Sequence, residues 1–256
     1  MPLMRLDKYL SECTALSRSQ LRQIIKNGSV CVDSVPVTAP EQKLDSDTAY
    51  VTLDGKPVSY AKFCYYMLNK PSGLLSATDD KKQKTVIDLF PAELRKKNIF
   101  PVGRLDKDTT GLLIITNDGE FAHRVISPKS EIVKTYRACT ESPVDDADVE
   151  AFRQGIVLAD GTLCLPAGLE KLPDGSCLVR VMEGKYHQVK RMLASRGKPV
   201  TELKRLSIGE LELDKTLLPG EFRQLTEKEL CSVNKKKITK NEPYIWCFYQ
   251  NNYAIF

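Results

Sequence analysis

The chain has 256 residues, a formal net charge of +5 and a pI near 8.7, so it can form two modest domains that need no disulfide support. Its eight cysteines are scattered without a Cys-x-x-Cys pair and only two histidines are present, which argues against a disulfide framework and a zinc site. The N-terminus lacks a signal-peptide core and no run is apolar for long enough to cross a bilayer, so we expect a reduced, cytoplasmic protein with no membrane partner.

The first 60 residues predict a small domain whose helices carry the positive charge. Ser17 and Gln20 have the spacing of a capping box that begins a helix, and Asn27-Gly28 is typical of a helix end. Several basic side chains recur at intervals of four, which places them on one helix face, although such a stripe alone is often only a solvated surface. The basic residues of interest are Arg5, Lys8, Arg18, Arg22 and Lys26.

A short hairpin and a turn-rich linker follow these helices. The apolar segments 30–32 and 35–37 flank Asp33-Ser34, and Pro36 favours an edge position for the second strand. The linker at 54–57 separates this domain from a segment with a different pattern. The predicted division is 1–60 for the N-terminal domain, 61–232 for a larger domain and 233–256 for a basic, aromatic tail.

The larger domain mixes strands and helices without the strict alternation of parallel α/β proteins. We base the strands on β-branched content or alternation, and the helices on periodicity and capping. This order favours the α+β class. The predicted strands are 65–69, 112–116, 134–140, 163–169, 177–182 and 200–208, and the predicted helices are 120–126, 145–154 and 187–196.

The most informative segment is the polar, glycine-bracketed loop 103–111, which leads directly into the apolar strand 112–116. It places Asp106 two residues after Arg104 and one residue before Lys107. A loop that only turned the chain would need its glycines and one Asp or Asn, but not this density of charge beside a core strand. The charges therefore indicate chemistry, with Asp106 as the candidate carboxylate.

Together with other motifs, this loop resembles the signature of the RsuA-type pseudouridine synthases. The other motifs lie at 68–73, 123–124, 134–136 and 184–193, and the resemblance extends from residue 4 to about residue 232. The segments 5–10 and 17–21 resemble an S4 RNA-binding module. The resemblance implies a small S4-like domain and a larger catalytic domain with a mixed or antiparallel sheet. We expect the segment 70–73 to be a tight turn with no chemistry of its own.

The resemblance also implies roles for individual residues. Asp106 is the catalytic carboxylate, Lys190 is the cation that contacts it at a single point, and Tyr136 stacks on the target uracil and is available for proton transfer. Arg104 either fills the gap left by a flipped nucleotide or forms a salt bridge with Asp108. From the residues themselves, the further substrate-binding candidates are Leu193, which is either an apolar wall against the uracil or an ordinary core leucine, and His123, Arg124, His187 and Arg191, as phosphate contacts.

The implied reaction breaks the N-glycosidic bond of a uridine, rotates the uracil and rejoins it through carbon, so we expect neither a cofactor nor a metal. The implied partner is ribosomal RNA, specifically one uridine of small-subunit (16S) RNA, free or in an assembling subunit, and the protein is expected to be a monomer. The choice of small-subunit RNA depends on the resemblance of segments 183–190 and 218–225 to the enzymes that modify it. Related enzymes that modify large-subunit (23S) RNA share the fold.

Two other functions remain open from the residues alone. One is a hydrolase that uses Asp106 and Asp108 as an acid/base pair or as metal ligands. The other is a non-catalytic adaptor in which only the S4-like segment binds RNA. The role of the tail at 233–256 stays open, because its lysines and aromatic residues can form a stacking platform for single-stranded RNA, pack onto the catalytic domain, or be disordered up to Lys240.

Overall fold

The computed structural model describes residues 3–14, 16–58, 60 and 62–233, which form two compact units. The first unit runs to Cys64 and includes Ala92–Lys97, and the second comprises Tyr65–Pro91 and the residues from Asn98 onward. Among the residues described, no helix combines the length and apolarity needed to cross a membrane. Apart from Val233, the predicted basic and aromatic tail lies outside them.

The first unit contains short helices and small antiparallel sheets. The elements are β1 (Leu3–Arg5), α1 (Leu6–Cys13), α2 (Arg18–Lys26), β2 (Val30–Val32), β3 (Val35–Pro36), β4 (Lys43–Asp45), β5 (Val51–Leu53), β6 (Lys56–Val58) and α3 (Ala92–Arg95). One sheet has the strand order β3-β2-β5-β6, and β1 pairs with β4. The core of the unit consists of apolar side chains from α1, α2 and the strands, including Leu6, Tyr9 and Leu21.

Local sequence signals explain the start of α2 and the hairpin that follows it. The hydroxyl of Ser17 accepts a hydrogen bond from the backbone N–H of Gln20, and the Gln20 side chain accepts one from the backbone of Ser17, which confirms the capping box. Asp33 and Ser34 both have positive φ, as a tight hairpin turn between twisted strands requires. Pro36 lies on the edge strand β3, as predicted.

The second unit is built on one nine-stranded sheet that is mostly antiparallel. The strands are β7 (Tyr65–Lys70), β8 (Phe100–Pro101), β9 (Thr110–Thr116), β10 (Lys134–Thr140), β11 (Gly168–Lys171), β12 (Cys177–Val181), β13 (Val200–Ile208), β14 (Leu211–Glu212) and β15 (Phe222–Gln224). Their order in the sheet is β11-β12-β10-β13-β9-β7-β15, with β14 beside β13 and β8 beside β9, and only the β9–β13 pair among these described strands is parallel. The helices are α4 (Gly119–Ile126), α5 (Asp146–Gln154), α6 (Gln188–Ser195) and α7 (Glu227–Val233). This mixture confirms the α+β class.

One predicted strand of this unit is mostly wrong. The segment 163–169 was expected to be extended throughout, but a strand begins only at Gly168. The backbone N–H of Cys164 donates to Ile156, and that of Ala167 donates to Phe152, so this segment bonds to the end of α5 and the loop after it. Pro166 has no N–H to donate to a ladder, which explains why the alternating apolar residues do not extend the sheet.

The parallel contact between β9 and β13 requires a glycine. Gly111 has φ of +98°, and a Cβ atom there would clash with the carbonyl oxygen of Arg205 on β13. The register pairs Arg205 with Gly111 and Lys204 with Thr110. The absence of a side chain therefore lets the two strands approach at the point where the polar loop 103–109 ends.

We predict that Gly111→Ala lowers the free energy of unfolding by about 3 kcal/mol, because it combines left-handed backbone strain with a backbone clash. Gly175→Ala is the matched control, since Gly175 also has positive φ but a Cβ atom there meets nothing within 4 Å. The control should cost only about 1 kcal/mol. Urea denaturation followed by circular dichroism measures both values, and equal losses would show that the strand approach does not restrict Gly111.

Candidate active site

A cleft in the second unit opens where the polar loop meets β9. Four of the predicted site residues line it, namely Arg104, Asp106, Tyr136 and His187. They come from the loop before β9, from β10 and from the start of α6, so the sheet brings together segments that are far apart in the sequence.

Asp106 is in contact with two side chains that can carry positive charge. Its Oδ2 lies 3.4 Å from Lys190 Nζ, and its Oδ1 lies 3.3 Å from His187 Nε2. Lys190 also contacts Asp108 Oδ1 at 2.5 Å, and this hydrogen bond holds the pKa of Asp108 below its usual value. Asp106 is 24% exposed and Asp108 is 71% exposed, so the residue inside the cleft is the one that the sequence singled out.

The polar loop is held by the buried ammonium group of Lys70, the last residue of β7. Lys70 Nζ donates to the carbonyl oxygens of Pro71, Lys107 and Thr109 at 3.0 to 3.1 Å. These three acceptors match the three N–H donors of an ammonium group. Burial lowers the pKa of Lys70 to about 8, although the nearby carboxylates of Asp108 and Asp106 oppose that change.

Two more contacts fix the same loop from the segment after β7. The hydroxyl of Ser76 donates to the carbonyl of Leu105 at 2.8 Å and accepts from its N–H at 3.1 Å. The N–H of Gly73 donates to the carbonyl of Lys107 at 2.8 Å. The segment 70–73 was expected to be a turn without chemistry, and this expectation was incomplete, because its lysine and glycine set the shape of the loop that carries Asp106.

The segment before α6 forms a second wall of the cleft. Glu183 accepts hydrogen bonds from Lys185, from the side chain of Gln188 and from the backbone of Leu165. This ring of contacts closes the turn that precedes α6, and His187 follows it with a φ of +48°. The turn therefore directs His187 toward Asp106.

Tyr136 and Thr109 contribute further polar groups. The Tyr136 hydroxyl accepts a weak hydrogen bond from Arg205 Nη1 at 3.5 Å, and its register on β10 places it opposite Arg205. Thr109 lines the cleft, and its hydroxyl is buried with no hydrogen-bond partner among the described residues. A buried hydroxyl without a partner is costly. The sequence analysis missed Thr109, whose only signal is its place in the polar loop.

Four of the predicted substrate-binding residues do not line the cleft, and a fifth, Arg104, lines it without the carboxylate partner considered for it. Leu193 is completely buried in the hydrophobic core and does not line the cleft, where Leu105, Val181 and Leu203 supply the apolar wall instead. The reason is that α6 turns Leu193 toward the sheet. Arg104 does not pair with Asp108 in the described structure, because Lys190 holds that carboxylate.

The remaining phosphate candidates lie away from Asp106. Arg191 forms an ion pair with Asp160 at 2.5 Å, so its charge is already compensated. His123 and Arg124 are exposed on α4 and do not line the cleft. Of the four candidates, only His187 lies at Asp106.

In the first unit, a buried carboxylate organises three of the five predicted RNA-binding residues. The side chain of Asp7 accepts hydrogen bonds from Arg5, Arg18 and Arg22 at 2.8 to 3.1 Å. Burial alone would raise the pKa of Asp7, but the three arginines outweigh it and hold the pKa well below its usual value. Since each guanidinium remains about half exposed, the cluster presents an ordered cationic face.

The other two basic residues are less constrained. Lys8 lies 3.7 Å from Glu12, one turn along α1. Lys26 is exposed in the last turn of α2. Each can contact a polyanion without breaking a buried interaction.

Comparison with known proteins places these features in a family. Residues 64–195 match the RNA pseudouridylate synthase family, and residues 4–48 match the S4 domain. A Bacillus subtilis protein named uncharacterized RNA pseudouridine synthase YtzG is 44% identical over 236 residues, which cover 91% of this chain and 99% of the relative.

Two further relatives are named ribosomal small subunit pseudouridine synthase A. The Vibrio cholerae and Escherichia coli proteins are each 41% identical, and the aligned regions cover 91% and 90% of this chain and 100% of each relative. A crystal structure of a pseudouridylate synthase matches with a TM-score of 0.64 and 35% identity, over 90% of this chain and 99% of that one.

These similarities confirm the expected fold, a small S4 domain followed by a larger α+β catalytic domain. The matched region includes Asp106 and Tyr136, which line the cleft, and Lys190, which contacts Asp106. The chain therefore belongs to the RNA pseudouridylate synthase family and is an isomerase.

Proposed function

We propose that this protein converts one uridine of small-subunit (16S) ribosomal RNA to pseudouridine, with Asp106 as the catalytic carboxylate. The observation that carries the proposal is a partly buried Asp106, held beside Lys190 and His187 in a cleft that also contains Tyr136. The substrate assignment is supported by the names of two relatives that are 41% identical over nearly their whole length. A cytoplasmic location and a monomeric state belong to the proposal on the sequence alone.

The reaction requires little from the protein beyond positioned charge. The bond between C1′ and N1 breaks, the uracil rotates, and a bond forms between C1′ and C5, while C5 loses a proton and N1 gains one. Asp106 acts at the sugar, either as a nucleophile at C1′ or as a base at C2′. Tyr136 offers a ring for stacking and a hydroxyl for proton transfer.

Access to the sugar requires the uridine to leave its stack. An enzyme that does chemistry on a nucleotide pays a few kcal/mol of unstacking energy to extrude it. Arg104 is exposed at the rim of the cleft and forms no ion pair in the described residues, so its guanidinium is free to occupy the vacated space.

We predict that Asp106→Asn abolishes the release of tritium from 5-tritiated uridine in ribosomal RNA and leaves RNA affinity within a few fold of wild type. The change keeps the shape of the side chain but removes its charge. Asp108→Asn is the control, because Asp108 is exposed and its removal leaves Lys190 beside Asp106. It should retain activity within about tenfold, since exposed ion pairs contribute little. Full activity of Asp106→Asn, or release of free uracil by wild type, would contradict the proposal.

We predict that Lys70→Met lowers kcat about 100-fold with little change in KM, because a loop displaced by an ångström misplaces Asp106. Lys107→Met is the control, since the one hydrogen bond of the Lys107 side chain to a described residue is to Gln83 at the surface, and it should act like wild type. The kcat of the wild type should also fall as pH rises through about 8, because a neutral Lys70 amine has two N–H donors for three carbonyls. A wild-type kcat in Lys70→Met would exclude this positioning role.

The S4 domain is proposed to dock the RNA through its cationic face. We predict that Lys26→Ala weakens RNA binding and reduces the slope of log affinity against log salt by about 1, because one phosphate contact is lost. Lys228→Ala removes an exposed lysine from α7 and serves as the control. Filter binding at several salt concentrations measures both slopes, and an equal slope for the two variants would argue against docking through α2.

A further inference from the structure

A second cavity of about 370 Å³ lies beside the Asp106 cleft in the same unit. Five residues line both spaces, so the two cavities share a wall, and Tyr136 and Arg104 belong to it. The side chain of Asp106 is not part of the second cavity. Its volume lies within the range of about 300–1,000 Å³ that is typical of small-molecule sites.

Two buried cations line the second cavity without a carboxylate partner in the described structure. Lys134 is 8% exposed and Arg205 is 4% exposed, and neither forms an ion pair there. Arg205 Nε donates to the carbonyl of Leu112, but its Nη2 is buried with no hydrogen-bond partner. Lys134 Nζ has one long hydrogen bond, 3.4 Å to the carbonyl of Met182.

Two buried cations without carboxylate partners are unfavourable unless an anion binds beside them. A buried charge is costly unless it is paired and hydrogen-bonded, and two like charges in one cavity add to that cost. Glu183 also lines the cavity, but its carboxylate is already bonded to Lys185 and Gln188. An anionic ligand in the cavity would supply the counter-charge that the described side chains do not give to Lys134 and Arg205.

Part of the remaining lining is apolar. In contrast to the two cations, four lining residues form an apolar wall, namely Val102, Val125, Ile126 and Ile208. Ile126 is 48% exposed, which places it at the rim of the cavity. A ligand with a flat apolar body and an anionic group matches this lining, and a nucleotide has both parts.

We propose that the second cavity binds a nucleotide adjacent to the target uridine in the same RNA, with its phosphate at Lys134 and Arg205 and its base against the apolar wall. This inference depends on the proposed function, because it assumes that the target uridine enters the Asp106 cleft. The shared wall at Tyr136 places the two sites next to each other, as neighbouring nucleotides of one strand require.

The test measures binding of uridine and of dinucleoside monophosphates with uridine at either end to the full-length protein by calorimetry. At least one dinucleotide should bind roughly tenfold or more tightly than uridine, because it adds charge-assisted hydrogen bonds. A neutral methylphosphonate linkage should remove that gain. Lys134→Gln should also remove the gain in affinity. Combining this variant with the methylphosphonate ligand should lower the affinity no further than either change does alone.

A second variant covers the case in which Lys134→Gln does not fold, as circular dichroism would show. Ile126→Trp obstructs the rim of the cavity without burying a charge, and it should remove the dinucleotide gain while leaving uridine binding unchanged. Leu218→Trp is the matched control, since Leu218 is exposed and does not line either cavity.

Three outcomes would overturn the inference. In the first, no dinucleotide binds more tightly than uridine. In the second, the tighter binding of the dinucleotide persists in Ile126→Trp and Lys134→Gln. In the third, free AMP or UMP binds as tightly as the dinucleotide, which indicates a site for free nucleotides. Tritium release from ribosomal RNA by the wild type separates this result from the proposed function. If the wild type releases tritium while the gain is absent, only the second site is wrong, and if it releases none, the proposed function fails by itself.

Discussion

The site depends on one buried ammonium group. Lys70 ends β7 and places its Nζ among three carbonyl oxygens, two of which belong to the loop that carries Asp106. A charge in this position is stable only because all three of its donors are used and two carboxylates lie nearby. The interaction therefore connects the end of β7 to the loop that carries Asp106, and it explains why a motif with the sequence of a simple turn contains a lysine.

The sheet adds a second constraint at the strand that follows the loop. Gly111 allows β9 to approach β13 in parallel, and this approach brings the backbone of Arg205 against the start of β9. The same Arg205 donates to Leu112 and to Tyr136, so the residue that defines the strand junction also orients the aromatic ring of the cleft. The cleft and the second cavity thus lie next to each other and share a wall that includes Tyr136.

The S4 domain holds several positive charges close together at its surface. A surface that binds a polyanion needs several cations close together, and their mutual repulsion and side-chain entropy oppose that arrangement. The buried carboxylate of Asp7 compensates one of the three arginine charges and fixes their positions, at the cost of reducing the net charge of the cluster. The exposed Lys8 and Lys26 restore part of that charge at the surface.

Local signals in the sequence determined a large part of the fold. The capping box at Ser17, the hairpin with Pro36 at the edge and the strands 134–140 and 200–208 all follow from short-range rules, because capping, turn geometry and alternation involve neighbouring residues. The density of charge around Asp106 also identified the loop before any contact was known.

Tertiary structure determined the features that these short-range rules cannot predict. It buried Leu193 in the core, paired Arg191 with Asp160, and turned 163–167 away from the sheet. It also gave Lys70 its role and left Arg205 without an anionic partner in the described residues. Each of these outcomes depends on residues distant in sequence, and a periodic pattern specifies which face of an element is apolar but not which neighbour that face meets.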